Sequence, residues 1–186
     1  MKRLFIAVRI EAGTELITAA AAFKTGLGGE NIKWTDITTS HITIAFLGDT
    51  DEKLVKPLGL MLSEKSAGFG RFTFLLKGAG VFRNLKDPRV IWLGIEMQEE
   101  LVKLYNLIAG GLREMDLPVE ERPFRPHLTL GRIKYLKNTD ALSNLLVKYR
   151  DKEIQRVEVD EIILYESILM SSGPVYKPLG YFKLKR

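Results

Sequence analysis

The only two histidines of the chain, His41 and His127, are the residues with the clearest capacity for chemistry. Each opens the same short pattern, in which a histidine is followed by an apolar residue, a threonine and a second apolar residue. A histidine side chain has an ordinary pKa of about 6.5, so one ring of a pair can take a proton while the other gives one. Hydrolysis of a phosphodiester needs both of these roles.

The first pattern lies in a segment, Ser40 to Leu47, whose composition predicts a β-strand. Side chains alternate between the two faces of a strand. We therefore expect His41 and Thr43 on one face, and Ile42, Ile44 and Phe46 on the face that enters the core.

The second pattern lies in a predicted strand from His127 to Ile133. His127 and Thr129 are expected to share a face, and the same alternation adds Arg125. Arg132 has the opposite parity unless Gly131 marks a β-bulge. Two such strands across a cleft could hold one phosphate, with hydroxyls and a guanidinium on its oxygens and imidazoles moving protons.

Structural and metal-binding roles compete with the catalytic role for these residues. One His-x-Thr pattern on a strand is a weak signal, and its repetition is what favours a functional pair. Two histidines could bind a metal, but neither pattern has an adjacent Asp, Glu or Cys in a known ligand spacing, so we predict neither metal nor cofactor. The aromatic residues are expected in the core: Trp34, Trp92, Phe72, Phe74 and Phe82.

The elements that must position these residues alternate between strands and helices in a mixed α+β order. Pro57 and Gly59 are expected to shorten, split or kink a helix that begins at Asp51. The other predicted helices span residues 14–24, 98–115 and 140–149. The other predicted strands span residues 4–8, 32–34, 72–76, 89–95, 157–167 and 176–184, with a loop at 171–174 before the last.

Length and composition narrow the class of protein. A chain of 186 residues with 46% hydrophobic content fits one domain or two small interlocked lobes. Its longest apolar runs fall short of the roughly 20 residues that span a bilayer. The lack of cysteine excludes disulfides and thiolate metal sites and favours the cytoplasm. A net charge of +5 is a weak indication of nucleic-acid binding.

The two His-x-Thr patterns resemble the signature of the 2H phosphoesterase superfamily. Within it, Arg3–Val8, His41–Gly48 and Phe124–Arg132 are similar to segments of the bacterial and archaeal RNA 2',3'-cyclic phosphodiesterases, formerly called 2'-5' RNA ligases. The resemblance runs from end to end of the chain. It implies one bilobal α+β domain over residues 1–186, with two pseudo-symmetric antiparallel sheet lobes and outer helices around a central cleft.

The resemblance also implies an activity, hydrolysis of a terminal 2',3'-cyclic phosphate on RNA to a 2'-phosphate without a metal. His41 would be the proton donor to the leaving 3'-oxygen and His127 the proton acceptor from water. Thr43, Thr129 and Arg125 would bind the phosphate. The implied partners are RNAs with cyclic-phosphate ends, with tRNA fragments among the candidates, and the implied state is a monomer with no membrane contact.

Several alternatives stay open at the level of the sequence. Attack by a ribose hydroxyl in place of water would give 2'-5' ligation with the same residues. Superfamily members that act on small cyclic nucleotides or on 2'-5' oligoadenylate share both patterns. A non-catalytic module that only holds an RNA end is a further alternative. The residues alone also allow the acid and base roles of the two histidines to be exchanged.

Overall fold

Nine β-strands and four α-helices form within residues 1–171 and 173–186, which are the residues that the computed structural model describes. None of these helices is long and apolar enough to cross a bilayer. The elements follow one another as β1 (Lys2–Arg9), α1 (Thr14–Gly26), β2 (Asn31–Trp34), β3 (His41–Thr50), α2 (Val55–Ala67), β4 (Phe72–Phe82), β5 (Val90–Glu96), α3 (Glu99–Glu114), β6 (Leu128–Tyr135), α4 (Thr139–Tyr149), β7 (Glu153–Val159), β8 (Glu161–Met170) and β9 (Gly173–Lys183).

The strands form two antiparallel sheets. The first has the order β3-β1-β8-β9 and the second the order β2-β6-β5-β4-β7. Without β2, the two orders correspond strand for strand, and β3 with its histidine matches β6. The run β1-α1-β3-α2 along the chain likewise recurs as β5-α3-β6-α4. The expected α+β class with two antiparallel sheets is confirmed.

Each sheet is covered by two helices, one from the first half of the chain and one from the second half. Helices α1 and α4 pack on the second sheet, and α2 and α3 pack on the first. The first pair meets through Phe23 and Tyr149, whose ring centroids are 5.2 Å apart. The second pair approaches closely at Gly111, where a Cβ atom would lie 2.6 Å from the sulfur of Met61. Because each sheet depends on helices from both halves, the lobes interlock.

The central strand β1 is buried on both faces. Leu4, Ile6 and Val8 belong to the hydrophobic core beneath the helices. Phe5 and Ala7, on the opposite face, are also buried. That second face is the one that looks towards the other sheet, and it supports the residues discussed below.

The predicted strand at residues 157–167 is wrong as a single element. The chain leaves the second sheet at the end of β7 and enters the first at the start of β8, with Asp160 between them. The carbonyl oxygen of Asp160 accepts a hydrogen bond from the backbone N–H of Leu184 at 2.7 Å, and its carboxylate pairs with Lys183 at 3.0 Å. The residue at which the chain passes from one sheet to the other is therefore bound to the last residue of β9 and to the residue after it. In the predicted loop 171–174, Gly173 and Pro174 already belong to β9, and Ser172 lies outside the described residues.

The predicted interruption of the second helix is also wrong. A single 3-10 turn, Glu52–Leu54, comes first, and Asp51 caps it by accepting a hydrogen bond from the backbone N–H of Lys53. From there α2 runs without a break to Ala67. Pro57 falls in the first turn of α2, where its missing N–H costs no helical hydrogen bond.

Candidate active site

A pair of β-bulges changes which side chains of β3 face the cleft between the sheets. In the ladder with β1, Ala7 pairs with Thr43 and Ile6 with Ala45, so one residue of β3 is left over, and a second shift follows between Leu4 and Phe5. Each bulge reverses the alternation downstream of it. The prediction that Phe46 enters the core is therefore wrong: 54% of its surface is exposed, and Leu47 occupies the core in its place.

A bulge of the same kind interrupts β6. In the ladder with β5, Thr129 pairs with Trp92 and Gly131 with Ile91, so Leu130 has no partner on β5. As a result Arg132 returns to the cleft face, on the same side as His127. The sequence allowed Arg132 to share a face with His127 if a β-bulge occurred at Gly131, and the structure has a bulge there. Gly131 is required here because a Cβ atom would lie 2.9 Å from both Ile32 and Trp34.

The two motifs are therefore equivalent over a longer stretch than the four-residue pattern. In each, the residue five positions after the histidine projects into the cleft, and it is Phe46 in the first motif and Arg132 in the second. The guanidinium carbon of Arg3 lies 5.0 Å from the centroid of the Phe46 ring. One half of the site thus offers an aromatic face at this position and the other half a cation.

Residues from both motifs line a single cleft of about 710 Å³. The first motif contributes Thr43 and Phe46, and the second contributes His127 and Arg132. Arg125, in the segment before β6, lines the same cleft. Thr43 is exposed, whereas Thr129 and both histidines are half-buried. The cleft thus brings together Thr43, His127 and Arg125 of the predicted site, whereas His41 and Thr129 are not among the residues that line it.

His41 is held by a hydrogen bond to the backbone two residues before it. Its Nδ1 lies 2.9 Å from the carbonyl oxygen of Thr39, which ends a short 3-10 turn, Ile37–Thr39. Asp36 caps that turn, since its carboxylate accepts from the backbone N–H of Thr38 at 2.9 Å and from the Thr38 hydroxyl at 2.8 Å. These two bonds also lower the pKa of Asp36.

His127 is held in the same way. Its Nδ1 lies 2.8 Å from the carbonyl oxygen of Arg125. Pro126 restricts the preceding residue to an extended backbone. The segment is fastened to α3 by Phe124, which stacks on Tyr105 with a centroid distance of 4.4 Å and parallel rings.

This shared hydrogen bond determines the tautomer of each ring. A carbonyl oxygen only accepts, so Nδ1 carries the hydrogen in both histidines. In a neutral ring Nε2 is then a free base, and in a protonated ring Nε2–H is an acid. In both rings Nε2 is therefore the nitrogen left available to other groups.

Aromatic residues that the sequence did not single out surround His41. Phe5 and Tyr176 each have a ring centroid 5.1 Å from that of His41, and Tyr165 lies at 6.5 Å. They come from β1, β8 and β9, so only the pairing of distant strands brings them together, and no local pattern could have indicated them.

Phe82 packs edge-on against His127 with a centroid distance of 4.6 Å, and Trp92 lies 5.6 Å from Phe82. Phe82 and Trp92 were expected in the core and instead belong to the cleft side of the second sheet. Phe74 is fully buried, and Trp34 and Phe72 pack against the core, as predicted.

Burial lowers the pKa of both histidines, because a charged ring loses hydration in the half-buried site. The hydrogen bonds to Thr39 and Arg125 partly oppose this effect. The positive charge of Arg132 lowers the pKa of His127 further. Burial also raises the pKa of the Tyr176 hydroxyl, and Arg132 partly opposes that shift. Arg132 therefore acts electrostatically on one group from each sheet, His127 and Tyr176.

The two motifs, Arg125 and Arg132 together carry two imidazoles, two hydroxyls and two guanidinium groups, which are the groups that acid–base chemistry on a phosphate ester uses. Within the described residues, 1–171 and 173–186, no three His, Asp or Glu side chains are grouped as a possible metal site.

Comparison with known proteins places the chain in a family. Residues 7–168 match the model of the 2'-5' RNA ligase superfamily. Two similar proteins, both called RNA 2',3'-cyclic phosphodiesterase, come from Thermotoga maritima, with 33% identity over 95% of this chain and 92% of the relative, and from Archaeoglobus fulgidus, with 31% identity over 97% and 99%. The crystal structure of TT0787 of Thermus thermophilus superposes with a TM-score of 0.80 at 26% identity, covering 98% of both chains. That of E. coli LigT complexed with 3'-AMP has the same fold, with a TM-score of 0.77 at 24% identity over 100% of this chain and 99% of LigT. The resemblance seen in the sequence is confirmed, and the chain belongs to the 2'-5' RNA ligase superfamily.

Proposed function

We propose that this protein hydrolyses the terminal 2',3'-cyclic phosphate of RNA to a 2'-phosphate, with His41 and His127 as an acid–base pair. The observation that carries the proposal is the matched orientation of the two rings, since each donates from Nδ1 to the carbonyl oxygen two residues earlier. The substrate class is supported by relatives called RNA 2',3'-cyclic phosphodiesterase that align over more than nine-tenths of both chains.

The proposed reaction is an in-line displacement at phosphorus. Nε2 of neutral His127 takes a proton from water as the water oxygen bonds to phosphorus. The bond from phosphorus to the 3'-oxygen breaks, and Nε2–H of protonated His41 gives its proton to that oxygen. The products are a 2'-phosphate and a free 3'-hydroxyl, with His127 protonated and His41 neutral. Proton exchange with solvent restores both rings.

The electrostatics of the site support this division of roles. Arg132 lowers the pKa of His127 and so favours the neutral ring that a base needs. His41 lies against Phe5 and Tyr176, and aromatic rings attract a cation. Burial lowers the pKa of His41, and a bound phosphodiester anion would oppose that shift, because an opposite charge raises the pKa of an imidazole.

The proposed phosphate contacts come from both lobes. The hydroxyls of Thr43 and Thr129, each two residues after its histidine, donate to the non-bridging oxygens. Arg125 neutralises the charge that develops on phosphorus oxygens in the transition state, an effect worth several kcal/mol at comparable sites. Arg132, which the sequence left undecided, is close enough to act on His127, so we include it in the phosphate site.

The same arrangement supports 2'-5' ligation as a second activity. A ribose hydroxyl would take the place of water, and His127 would accept its proton while His41 protonates the leaving oxygen. No nucleoside triphosphate is consumed, because the phosphodiester that forms replaces one that breaks. Incubation of a cyclic-phosphate RNA with an RNA carrying a free 5'-hydroxyl, followed by digestion specific for 3'-5' linkages, would reveal a resistant 2'-5' junction.

Product analysis tests the hydrolysis directly. The purified protein is incubated with an oligoribonucleotide ending in a 2',3'-cyclic phosphate, in the presence of EDTA, and the product is identified by 31P NMR. We expect a 2'-phosphate. An unopened cyclic phosphate or a 3'-phosphate product would contradict the proposal.

Histidine variants separate an enzyme from a module that only holds an RNA end. His41→Asn and His127→Asn each remove a proton-transfer group and should lower turnover by a factor of about 10² or more. Circular dichroism confirms that each variant is folded, and binding of a 2'-phosphate oligonucleotide should survive. Turnover by the variants at the parent rate would exclude the histidines from catalysis.

A further inference from the structure

A row of side chains crosses the second sheet from the catalytic cleft to its outer edge. Phe82, which packs on His127, pairs with Val90, Val90 pairs with Arg132, and Arg132 pairs with Lys33 on the edge strand β2. Residues that pair directly across antiparallel strands share a face of the sheet. With strands about 4.8 Å apart, the row from Phe82 to Lys33 covers roughly 14 Å.

The outer end of this row carries only positive charge. Lys33 and Arg132 stand directly opposite each other, and Lys134, two residues beyond Arg132, is exposed beside them. We name Lys33, Arg132 and Lys134 the basic track. In the part of the chain that the structure describes, none of the three forms a salt bridge within 4.0 Å.

The carboxylates nearest to β2 along the chain are engaged elsewhere. Glu30 accepts hydrogen bonds from the backbone N–H groups of Lys137 and Asn138. Asp36 caps the turn before His41 through Thr38. Neither of these two carboxylates forms a salt bridge with a cation of the basic track.

Like charges placed directly opposite each other on a sheet destabilise it. In the loop between β4 and β5, by contrast, Arg83 and Arg89 share the carboxylate of Asp87. An anion that lies across the track would remove the repulsion between Lys33 and Arg132. Because the row begins at the catalytic cleft, that anion is most simply a continuation of whatever occupies the cleft.

We propose that the basic track binds the phosphates of the RNA strand upstream of the terminal cyclic phosphate. This inference rests on the proposed function, which places the end of the strand between His41 and His127. The strand would follow the cleft past Phe82 and Val90 to Arg132 and leave it over β2, with its backbone phosphates on the cations. The protein would accordingly bind oligoribonucleotides through contacts that a mononucleotide cannot make.

The salt dependence of binding tests the track. For single strands, the slope of log K against log salt concentration is about −0.7 for each phosphate neutralised. Lys33→Gln/Lys134→Gln removes two cations and should reduce the slope by about 1.4. When the salt is raised from 50 to 200 mM, Kd should therefore increase by a factor that is roughly 7-fold smaller for the variant than for the parent. Kd is measured by fluorescence anisotropy with a labelled pentaribonucleotide that ends in a 2'-phosphate.

A matched control removes the same charge elsewhere. Lys53, in the 3-10 turn before α2, and Lys56, in the first turn of α2, are both exposed, and neither belongs to the strands that carry the basic track. Lys53→Gln/Lys56→Gln should keep the parent slope, and the track variant should open a 2',3'-cyclic mononucleotide at the parent rate. An unchanged slope in the track variant, or an equal reduction in the control, would overturn the inference. Failure of the proposed function would show differently, as a parent protein that binds the pentamer but opens no cyclic phosphate.

Discussion

The threonines of the two motifs give the sharpest test of how the cleft holds a phosphate. Replacing Thr43 or Thr129 by valine removes one hydroxyl and keeps the shape and the β-preference of the side chain. A hydrogen bond to a charged group contributes about 1.5–3 kcal/mol. Since about 1.36 kcal/mol corresponds to a tenfold change in rate, each hydroxyl is worth roughly 10- to 150-fold in kcat/KM.

The different exposure of the two threonines predicts which valine variant loses more activity. Thr129 is half-buried and Thr43 is exposed, and a hydrogen bond is stronger where the local dielectric constant is lower. We therefore expect Thr129→Val towards the larger loss and Thr43→Val towards the smaller one. The double variant should depart from the product of the two losses, because both hydroxyls share one phosphate as their partner.

The assay is kcat/KM for opening of a cyclic-phosphate oligonucleotide, with unfolding curves measured in parallel. Thr43→Ser and Thr129→Ser retain the hydroxyl and are the matched controls, which should stay within a few-fold of the parent. Parent activity in the valine variants, or an equal loss for serine and valine at one position, would refute this role of the hydroxyls.

Two further predictions concern the bulge in β6. Arg132→Gln removes a positive charge that lowers the pKa of His127, so the pKa of His127 rises and the acid limb of the pH profile of kcat/KM moves to higher pH; a limb at the parent position would mean that His127 is not the base. Gly131→Ala would force a Cβ atom to within 2.9 Å of Ile32 and Trp34 and should lower the free energy of unfolding by about 1–3 kcal/mol in urea titrations. Gly29→Ala, with no atom within 4 Å of the new Cβ, is the control and should leave that free energy nearly unchanged or slightly raised.

Strand alternation predicted the faces of the site correctly up to the first bulge and failed beyond it. His41, Thr43 and Ile42 lie as expected, but Phe46 does not, because a bulge depends on the partner strand and leaves little trace in the strand that carries it. For Arg132 the sequence held a clue, since Gly131 stood where an extra residue could be accommodated.

Features that depend on distant parts of the chain were not predictable from local patterns. Residues 157–167 have the composition of one strand, yet they are divided between two sheets. The division is determined by the strands with which they pair, β4 for β7 and β1 for β8. Tyr176 reaches His41 from the last strand of the chain for the same reason. The prediction for Pro57 was wrong because the effect of a proline depends on where the helix begins, and the first turn tolerates it.

The different residues at the two fifth positions, Phe46 and Arg132, bear on which histidine is the acid. Two identical half-sites would accept a cyclic phosphate in either of two orientations related by the pseudo-twofold axis, and the histidines would exchange roles between them. Both orientations would break the same phosphorus–oxygen bond, so a fully symmetric enzyme would give one product with no fixed acid and no fixed base. An aromatic ring on one side and a guanidinium on the other make the two orientations unequal in energy. If the histidines act as proposed, this break in symmetry assigns the acid role to one imidazole and the base role to the other.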